Sequence, residues 1–564
     1  MSVTGRDTTP QPGATRGIHP RATRRTVVTD DSAQTGPADD SRVAWREWGP
    51  EPFADAAASG RPVLVFLTAT WCDDCHEMLA TTFAEPRIAA NVSDGFVPVK
   101  VDIDRHPRVR ERYNMGGFPS TVFCTPDGEL LTGATYLAPA GFRDILDQVR
   151  QSWDARGADA GRVPRALAGN PTPDGELDES IPRHFAGQLD EQWDEEFAGW
   201  GTDAKFPLPD TVTFALKRDR RRATQTLDAI QTSLQGVDGG FDRYAAGRDW
   251  SDTHEERLLI DNAALVRAFA HGYLYTGEAG YRTAATDAVG FLRGRLRVGD
   301  AFGGSVGPGG QRRDLTVYAD GNALLAEALT TLAAYTDDED AKRDAREVLA
   351  HLRTELIDDD GRVRHFADDD APADLLADGA HVVRAFTTAA QVFGEGVETA
   401  RTVADRLLAE LGDADGFRDG PAAGVGLLDR PLRPIDDTVT LTEGLLNLAA
   451  LTGDDRYRER ARRALAAFAG ATDRMGAQVA AYGGAVDRLL NEPPVVAVGT
   501  EPGSDLHRAA LRVADHETVV VPDAADAPEG AAVVRGDDGD PATEPETLVE
   551  RVADATSRAA GTRS

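Results

Sequence analysis

Four stretches of this sequence align with one another at spacings of 59, 58 and 59 residues. Each opens on an aspartate: Asp261, Asp320, Asp378 or Asp437. An apolar-periodic helix follows, then a short polar turn and a second helix rich in Ala and Arg, as in LLIDNAALVRAFAHGYLYTGEAGYRTAATDAVGFL (258–292). Gly-rich links such as VGDAFGGSVG and DADGFRDG join the units. A weaker unit begins at PLPDTVTFALKRD (207–219) and a partial one lies at 476–491. Open solenoids of helical pairs repeat at about 34 to 47 residues. The longer period leaves room for loops gathered at one end of a closed ring. Residues 205–491 are therefore expected to form an α/α toroid of five or six hairpins. The more apolar first helices would face inward, with their Asp-headed ends on one rim.

An Asp that opens a helix is usually an N-cap, accepting backbone N–H groups that the first turn leaves unpaired. Capping is the expected role of the four repeated aspartates. A toroid also offers a central pocket, and converging polar groups there are the default binding site. The candidates are Lys205, Arg243, Tyr244, Trp250, His254, Glu255, Asp261 and Asp320, with Asp378 and Asp437 on the same rim. The HEE at 254–256 lacks the second histidine of a metalloprotease helix, because Leu258 stands in its place.

Ahead of the repeats the pattern changes. RPVLVFLTAT (61–70) and FVPVKVDID (96–104) are apolar, β-branched runs, and STVFCTPDGELL (120–131) is a third ending in a turn. One amphipathic helix is expected between the first two, from about Cys72 to Asn91, and a last helix at about 139–153. This order predicts a small α/β domain over 42–155, with 156–204 as linker and lead-in. WCDDC (71–75) crosses the junction of strand and helix. Its cysteines are a redox pair, half of a zinc site, or two unreactive core thiols. Zinc needs four ligands, and neither Cys124 nor His106 repeats the paired spacing. At a helix start the dipole would stabilise the Cys72 thiolate, and Cys75, one turn on, could resolve a mixed disulfide.

PVLVFLTATWCDDC together with VKVDIDRHPRVRERYNMGGFPSTVF resembles thioredoxin. WCDDCHEM, GGFPSTVFCTPDG, DAKFPLPD, GGFDRY, THEERLLIDNA and GAVDRLL resemble more closely the thioredoxin-like family related to spermatogenesis-associated protein 20. The similarity covers about residues 43–500. It implies a thioredoxin-like domain followed by a six-hairpin toroid similar to sugar epimerases and glycosidases. It also implies a cis proline at Pro119 beside the cysteines. The expected activity is thiol–disulfide exchange through Cys72 and Cys75, with protein thiols or a reductase as partners. The alternatives are a carbohydrate-active or sugar-binding toroid, hydrolase- or epimerase-like, under a regulatory thioredoxin-like module, and a non-catalytic interaction protein. No cofactor and no metal are expected. Thioredoxins carry a buried carboxylate six residues before the first Cys, where this chain has Phe66, so His76 is the candidate proton acceptor. Asp73 and Asp74 would raise the Cys72 pKa.

Acidic residues number 94 against 61 basic, a formal charge of −33, and only Lys100, Lys205, Lys217 and Lys342 are lysines. Such a surface points to a salt-loving source and argues against nucleic acid and anionic membranes as partners. Three cysteines cannot staple 564 residues. No apolar run approaches the roughly 18 residues of a membrane span, and no apolar segment follows the Arg pair in RATRRTVVTDD. A cytoplasmic location is expected. Residues 1–41 read as a disordered tail, and 492–564 as a small α/β segment with a fraying final helix.

Overall fold

The computed structural model describes residues 41–561 apart from 170, 171 and 415. The tail expected over 1–41 lies outside the described residues, except for Ser41. The first domain runs α1 (Pro50–Ser59), β1 (Val63–Thr68), α2 (Asp73–Ala80), α3 (Pro86–Gly95), β2 (Val97–Asp102), α4 (Pro107–Tyr113), β3 (Ser120–Cys124), β4 (Leu130–Ala134) and α5 (Pro139–Arg156). Its sheet has the order β2-β1-β3-β4. β1 pairs parallel with β2, Val63 opposite Val97, and antiparallel with β3, Val63 opposite Cys124. Every residue of β1 is buried, which is why its sequence is a continuous apolar run instead of an alternating one.

The single helix expected from Cys72 to Asn91 is two helices. Pro86 occupies the first turn of α3, and a proline there lacks the N–H that would continue α2.

The ring comprises α6 (Ser180–Glu191), α7 (Pro209–Arg218), α8 (Arg220–Leu234), α9 (Leu259–Thr276), α10 (Ala279–Arg295), α11 (Ala319–Thr336), α12 (Glu339–His351), α13 (Leu376–Phe393), α14 (Val397–Glu410), α15 (Ile435–Thr452), α16 (Asp455–Ala466) and α17 (Ala480–Asn491). Helices α7, α9, α11, α13, α15 and α17 each pack on the next, and α17 packs back on α7, closing the inner ring. Helices α8, α10, α12, α14 and α16 stand behind their inner partners. The sixth outer helix is α6, within the segment read as lead-in, and it packs on α17. First and last helices of the ring thus meet to shut it. The repeat extends to the helix ends: α9, α13 and α15 stop at left-handed Gly277, Gly394 and Gly453. A residue with positive φ terminates each helix, and glycine meets that demand without steric cost.

Strands Val495–Val498, Val519–Val521 and Ala532–Val534, with helices Asp505–Leu511 and Pro545–Gly561, make the C-terminal α/β segment. Its residues 510–520 lie against α11, α13 and α15 and cover one end of the ring. Among the described residues, no helix is long and apolar enough to cross a membrane.

Candidate redox site at the rim of a plugged ring

Cys72 is the N-cap of α2, and its Sγ accepts a hydrogen bond from the Cys75 N–H at 3.2 Å. The two cysteines form a disulfide. Cys75 is fully buried and Cys72 is 5% exposed, so only the first sulfur can meet an incoming group. The Phe118–Pro119 peptide is cis, as the resemblance implied, and Pro119 is buried. Cys124 is a free thiol in the core, and burial holds its pKa far above the ordinary thiol value.

Phe66 fills the place of the buried carboxylate and packs between Trp45 and Phe83. His76 sets its Nε2 3.0 Å from the Thr70 carbonyl, so that nitrogen carries a proton and ties α2 to the preceding turn. Two carboxylates stand close to Trp71: Asp102, the last residue of β2, and Asp104, just beyond it. Asp104 accepts the Trp71 indole N–H at 2.9 Å. Loss of water and the neighbouring Asp102 and Asp314 push Asp104 up to about 7. Burial and Asp314 likewise push Asp102 up to about 6.

The toroid's loops reach this site. Arg243 lies 4.6 Å from the centre of the Trp71 ring and pairs with Glu256 at 3.4 Å. Arg312 pairs with Asp73, inside the Cys-x-x-Cys motif. Farther along the same seam, Arg108 and Arg112 of α4 clamp Asp419 of the toroid at 3.0 and 2.7 Å. His365 bridges the two domains, with Nδ1 2.9 Å from Asp378 and Nε2 2.8 Å from the Asp104 main-chain carbonyl. Burial opposes charge on His365, but Asp378 outweighs it and raises the imidazole to about 9. Asp320, His365 and Asp378 bring ligand atoms within 4.8 Å of one another. Both nitrogens of His365 face acceptors, so it has no lone pair to give a metal while those bonds hold. His365 and Asp378 form an ion pair with Asp320 beside it, and the set as bonded does not fit a metal.

The expected rim residues divide into two groups. Arg243 stands over Trp71, with Tyr244 and its stacked His254 beside Arg243 and Asp261 within reach of its charge. Tyr244 stacks on His254 at 4.1 Å and on Phe206 at 4.6 Å, while His254 and Glu255 are exposed. Lys205 and Trp250 instead hold a neighbouring loop together. The fully buried Lys205 ammonium donates to Asp194 at 2.9 Å and to the Gly201 carbonyl at 2.7 Å, and the Trp250 indole donates to Phe197.

The capping expectation for the repeated aspartates is corrected. Leu258, Tyr318, Leu375 and Pro434 occupy the cap positions, and none makes a side-chain capping bond. The aspartates sit inside the first turn. Asp320 accepts from the N–H of Gly321 next to it at 2.7 Å. Asp261 has an oxygen with no partner, and burial raises it to about 6. Burial and Asp436 raise Asp437 to about 7.

Deeper in the ring, one charge from each inner helix forms an alternating belt: Asp210, Arg267, Glu327, Arg384, Glu443 and Arg488. Arg267 pairs with Asp210 at 2.5 Å and Glu327 at 2.9 Å, and Arg384 pairs with Glu327 at 2.9 Å and Glu443 at 2.6 Å. These residues were missed from sequence. The signal was present at the sixth or seventh position after each repeated Asp, where Arg267, Glu327, Arg384 and Glu443 alternate in sign. Asp210, Glu327, Arg384, Glu443 and Arg488 of the belt line a cavity of about 120 Å³, closed at one end by residues 510–520.

Residues 26–168 match a family model for DsbH-type thioredoxin-like proteins, described as a protein of unknown function, DUF255. Human spermatogenesis-associated protein 20 is 29% identical over 326 residues, which is 50% of this chain and 42% of the human one. The chain thus spans less than half the length of that relative. A thioredoxin H-type of Oryza sativa subsp. indica is 35% identical over 74 residues, 13% of this chain and 57% of that one. Among solved structures, a sugar epimerase from a ruminal bacterium superposes with a TM-score of 0.43 at 12% identity, covering 50% of this chain and 84% of that one.

Proposed function

We propose that this chain, similar over half its length to spermatogenesis-associated protein 20, is a thiol–disulfide exchange protein whose redox site is shared between its thioredoxin-like domain and its toroid. The observation that carries the reading is the Cys72–Cys75 disulfide at the start of α2, in a domain that also holds the cis Phe118–Pro119 peptide. The match of residues 26–168 to a thioredoxin-like family model supports it.

In the exchange, a substrate thiolate attacks the Cys72 Sγ and the Cys72–Cys75 bond breaks. Cys75 leaves as a thiolate and takes a proton, giving a mixed disulfide on Cys72. A second thiolate of the substrate then displaces Cys72, so one substrate disulfide forms for each protein disulfide reduced. In the reverse direction Cys72 is the nucleophile and Cys75 resolves the mixed disulfide. Attack on Cys72 instead of Cys75 follows from their burial. With Phe66 in place of a carboxylate, Asp104, one hydrogen bond from Trp71 and shifted to about 7, is the acid–base group of this region.

What weighs against the carbohydrate-active alternative is the position of its expected residues. Arg243 lies over Trp71 of the thioredoxin-like domain, Asp261 is buried near the charges of Arg243 and Arg110, His254 is exposed, and Lys205 is tied to Asp194. The test is equilibration of the purified protein with dithiothreitol buffers, together with reduction of insulin. A two-electron transition confined to Cys72 and Cys75, with insulin turnover that Cys72→Ser abolishes, is expected. A pair that stays oxidised in excess dithiothreitol while the protein is folded would sink the assignment.

A further inference from the structure

The toroid sets a fixed aromatic ledge beside the disulfide. Among the described residues only three large apolar side chains are exposed, and Phe206, at 49%, is the one aromatic ring. Its backbone is fastened on both sides. Lys205 exchanges two main-chain hydrogen bonds with Ala245, at 2.8 and 3.0 Å, and Pro207 is buried. The Phe206 ring lies flat on Tyr244, 4.6 Å between centres and 13° between planes. Tyr244 stacks in turn on His254, its cross-strand partner, at 4.1 Å and 12°. A phenyl ring in water is unfavourable, and one held rigid has already lost the freedom that binding would otherwise cost.

The ledge borders the redox motif. Arg243 lies 4.6 Å from the centre of the Trp71 ring and 5.9 Å from that of Tyr244. Trp71, immediately before Cys72, is only 4% exposed. A polypeptide that reaches Cys72 therefore meets the toroid's rings in place of the tryptophan. The local charges set its chemistry. Burial first, then Glu256 and Asp74, raises the Tyr244 hydroxyl above its ordinary pKa, so Asp74 stands near the stack. Arg243, Arg248 and Arg312 are already paired, with Glu256, Asp194 and Asp73. Asp74, and Glu255 next to His254 in the chain, are exposed and make no ion pair among the described residues. An arginine suits both features, because its guanidinium stacks on aromatic faces and pairs with carboxylates.

We propose that Phe206, Tyr244 and His254 form the docking surface for the polypeptide exchanged at Cys72, and that they select an arginine next to its reacting cysteine. The proposal rests on the thiol–disulfide reading and adds the class of substrate.

The test uses the reduced full-length protein and three peptides that differ only in the residue before a single cysteine: Arg, Lys or Ala. Each cysteine is blocked as a mixed disulfide with thionitrobenzoate. Attack of the Cys72 thiolate on the peptide sulfur forms a Cys72–peptide disulfide and releases thionitrobenzoate, read by its absorbance. Cys75 then displaces the peptide thiol, so the protein gives up two electrons for each disulfide reduced. Both cationic peptides should outpace the Ala peptide. The Arg peptide should outpace the Lys peptide by at least about threefold, the effect of one exposed cation–π contact. The protein's net charge favours both cations alike, so the second comparison isolates the stack. Phe206→Leu, which keeps an apolar side chain and loses the ring face, should abolish the preference for Arg over Lys, as should Phe206→Ala. Equal rates for the Arg and Lys peptides, or a preference that survives both substitutions, would overturn the proposal and leave the exchange reading standing. No release from any of the three peptides would remove the exchange reading and the docking surface with it.

Discussion

Arg312, on a loop of the toroid, forms an ion pair with Asp73, the residue that follows the first cysteine of the redox motif. The acidic pair inside the motif had implied a poor nucleophile, because two carboxylates beside a thiol raise its pKa. The toroid answers half of that penalty at Asp73, and Arg243 adds a second cation over Trp71. The chemistry of the cysteines therefore depends on residues 171 and 240 positions downstream of Cys72. Arg312→Ala should raise the Cys72 thiol pKa by roughly half to one unit, the effect of one partly exposed charge. Asp73→Asn in that background should reverse the rise. The pH profile of iodoacetamide alkylation of the reduced protein measures both.

His365 makes the domain seam sensitive to alkaline pH. Its folded pKa of about 9 lies above the ordinary 6.5. A base raised on folding contributes stability that is complete below 6.5 and is lost as the pH climbs through 9. The buried Asp378 has its own pKa raised by burial, so part of the gain from pairing is spent on desolvation. A net loss of about 2 kcal/mol between pH 6.5 and 9 is expected, read by urea unfolding. His365→Gln should flatten that limb. An unchanged alkaline limb in the variant would show that another group controls it.

Asp437 acts over a lower range. Burial and Asp436 lift it to about 7 from 3.8. An acid raised on folding favours the fold while protonated, so its contribution is full near pH 4 and gone above 7. Asp437→Asn removes the buried charge and should stabilise the protein at pH 8 by about 2–4 kcal/mol, with little effect at pH 4. Destabilisation at pH 8 would mean that the carboxylate holds a contact that offsets its burial.

The ring was legible because its repeat is long and regular: four aspartates at nearly equal spacing, each followed by an apolar helix. The proximity of Cys72 and Cys75 was legible because a Cys-x-x-Cys spacing at a helix start fixes local geometry, and the cis Pro119 was legible through the resemblance to thioredoxin. Two features were hidden for physical reasons. Whether Asp378 caps its helix or pairs with His365 depends on Leu375 taking the cap position and on a loop that folds back from residue 365. Hydrophobic periodicity records neither. The closure of the ring by α6 was hidden because the helix pairs with α17, some 300 residues away, and stands outside the repeat. The belt was in plain view at corresponding repeat positions, but charges on an apolar helix face become informative only when the face is known to point into a lumen.

The net charge of −33 gives a prediction independent of any site. Like charges on a compact surface repel, and salt reduces the reach of that repulsion from about 10 Å at 0.1 M to about 3 Å at 1 M. The unfolding temperature should rise steeply from dilute buffer into molar KCl. A flat profile would show that the surface is adapted to ordinary ionic strength, with its many Arg–carboxylate pairs already offsetting the excess charge.

The two sulfurs should behave differently in single substitutions. Cys72 begins α2 and retains 5% exposure, whereas Cys75 has none. Cys75→Ser removes the resolving thiol and leaves Cys72 able to attack, so a disulfide-bearing probe such as oxidised glutathione should remain attached to it. Cys72→Ser leaves a thiol that no partner reaches, and no adduct should form while the protein is folded. Adding Arg243→Ala to Cys75→Ser uncovers the Trp71 face. If the toroid loop restricts approach, adducts with a protein disulfide should then form faster, while those with glutathione change little. Equal acceleration for both would mean that Arg243 acts through its charge alone, and no acceleration of either would mean that the loop leaves the sulfur's approach open. Mass spectrometry of the trapped species distinguishes the three outcomes.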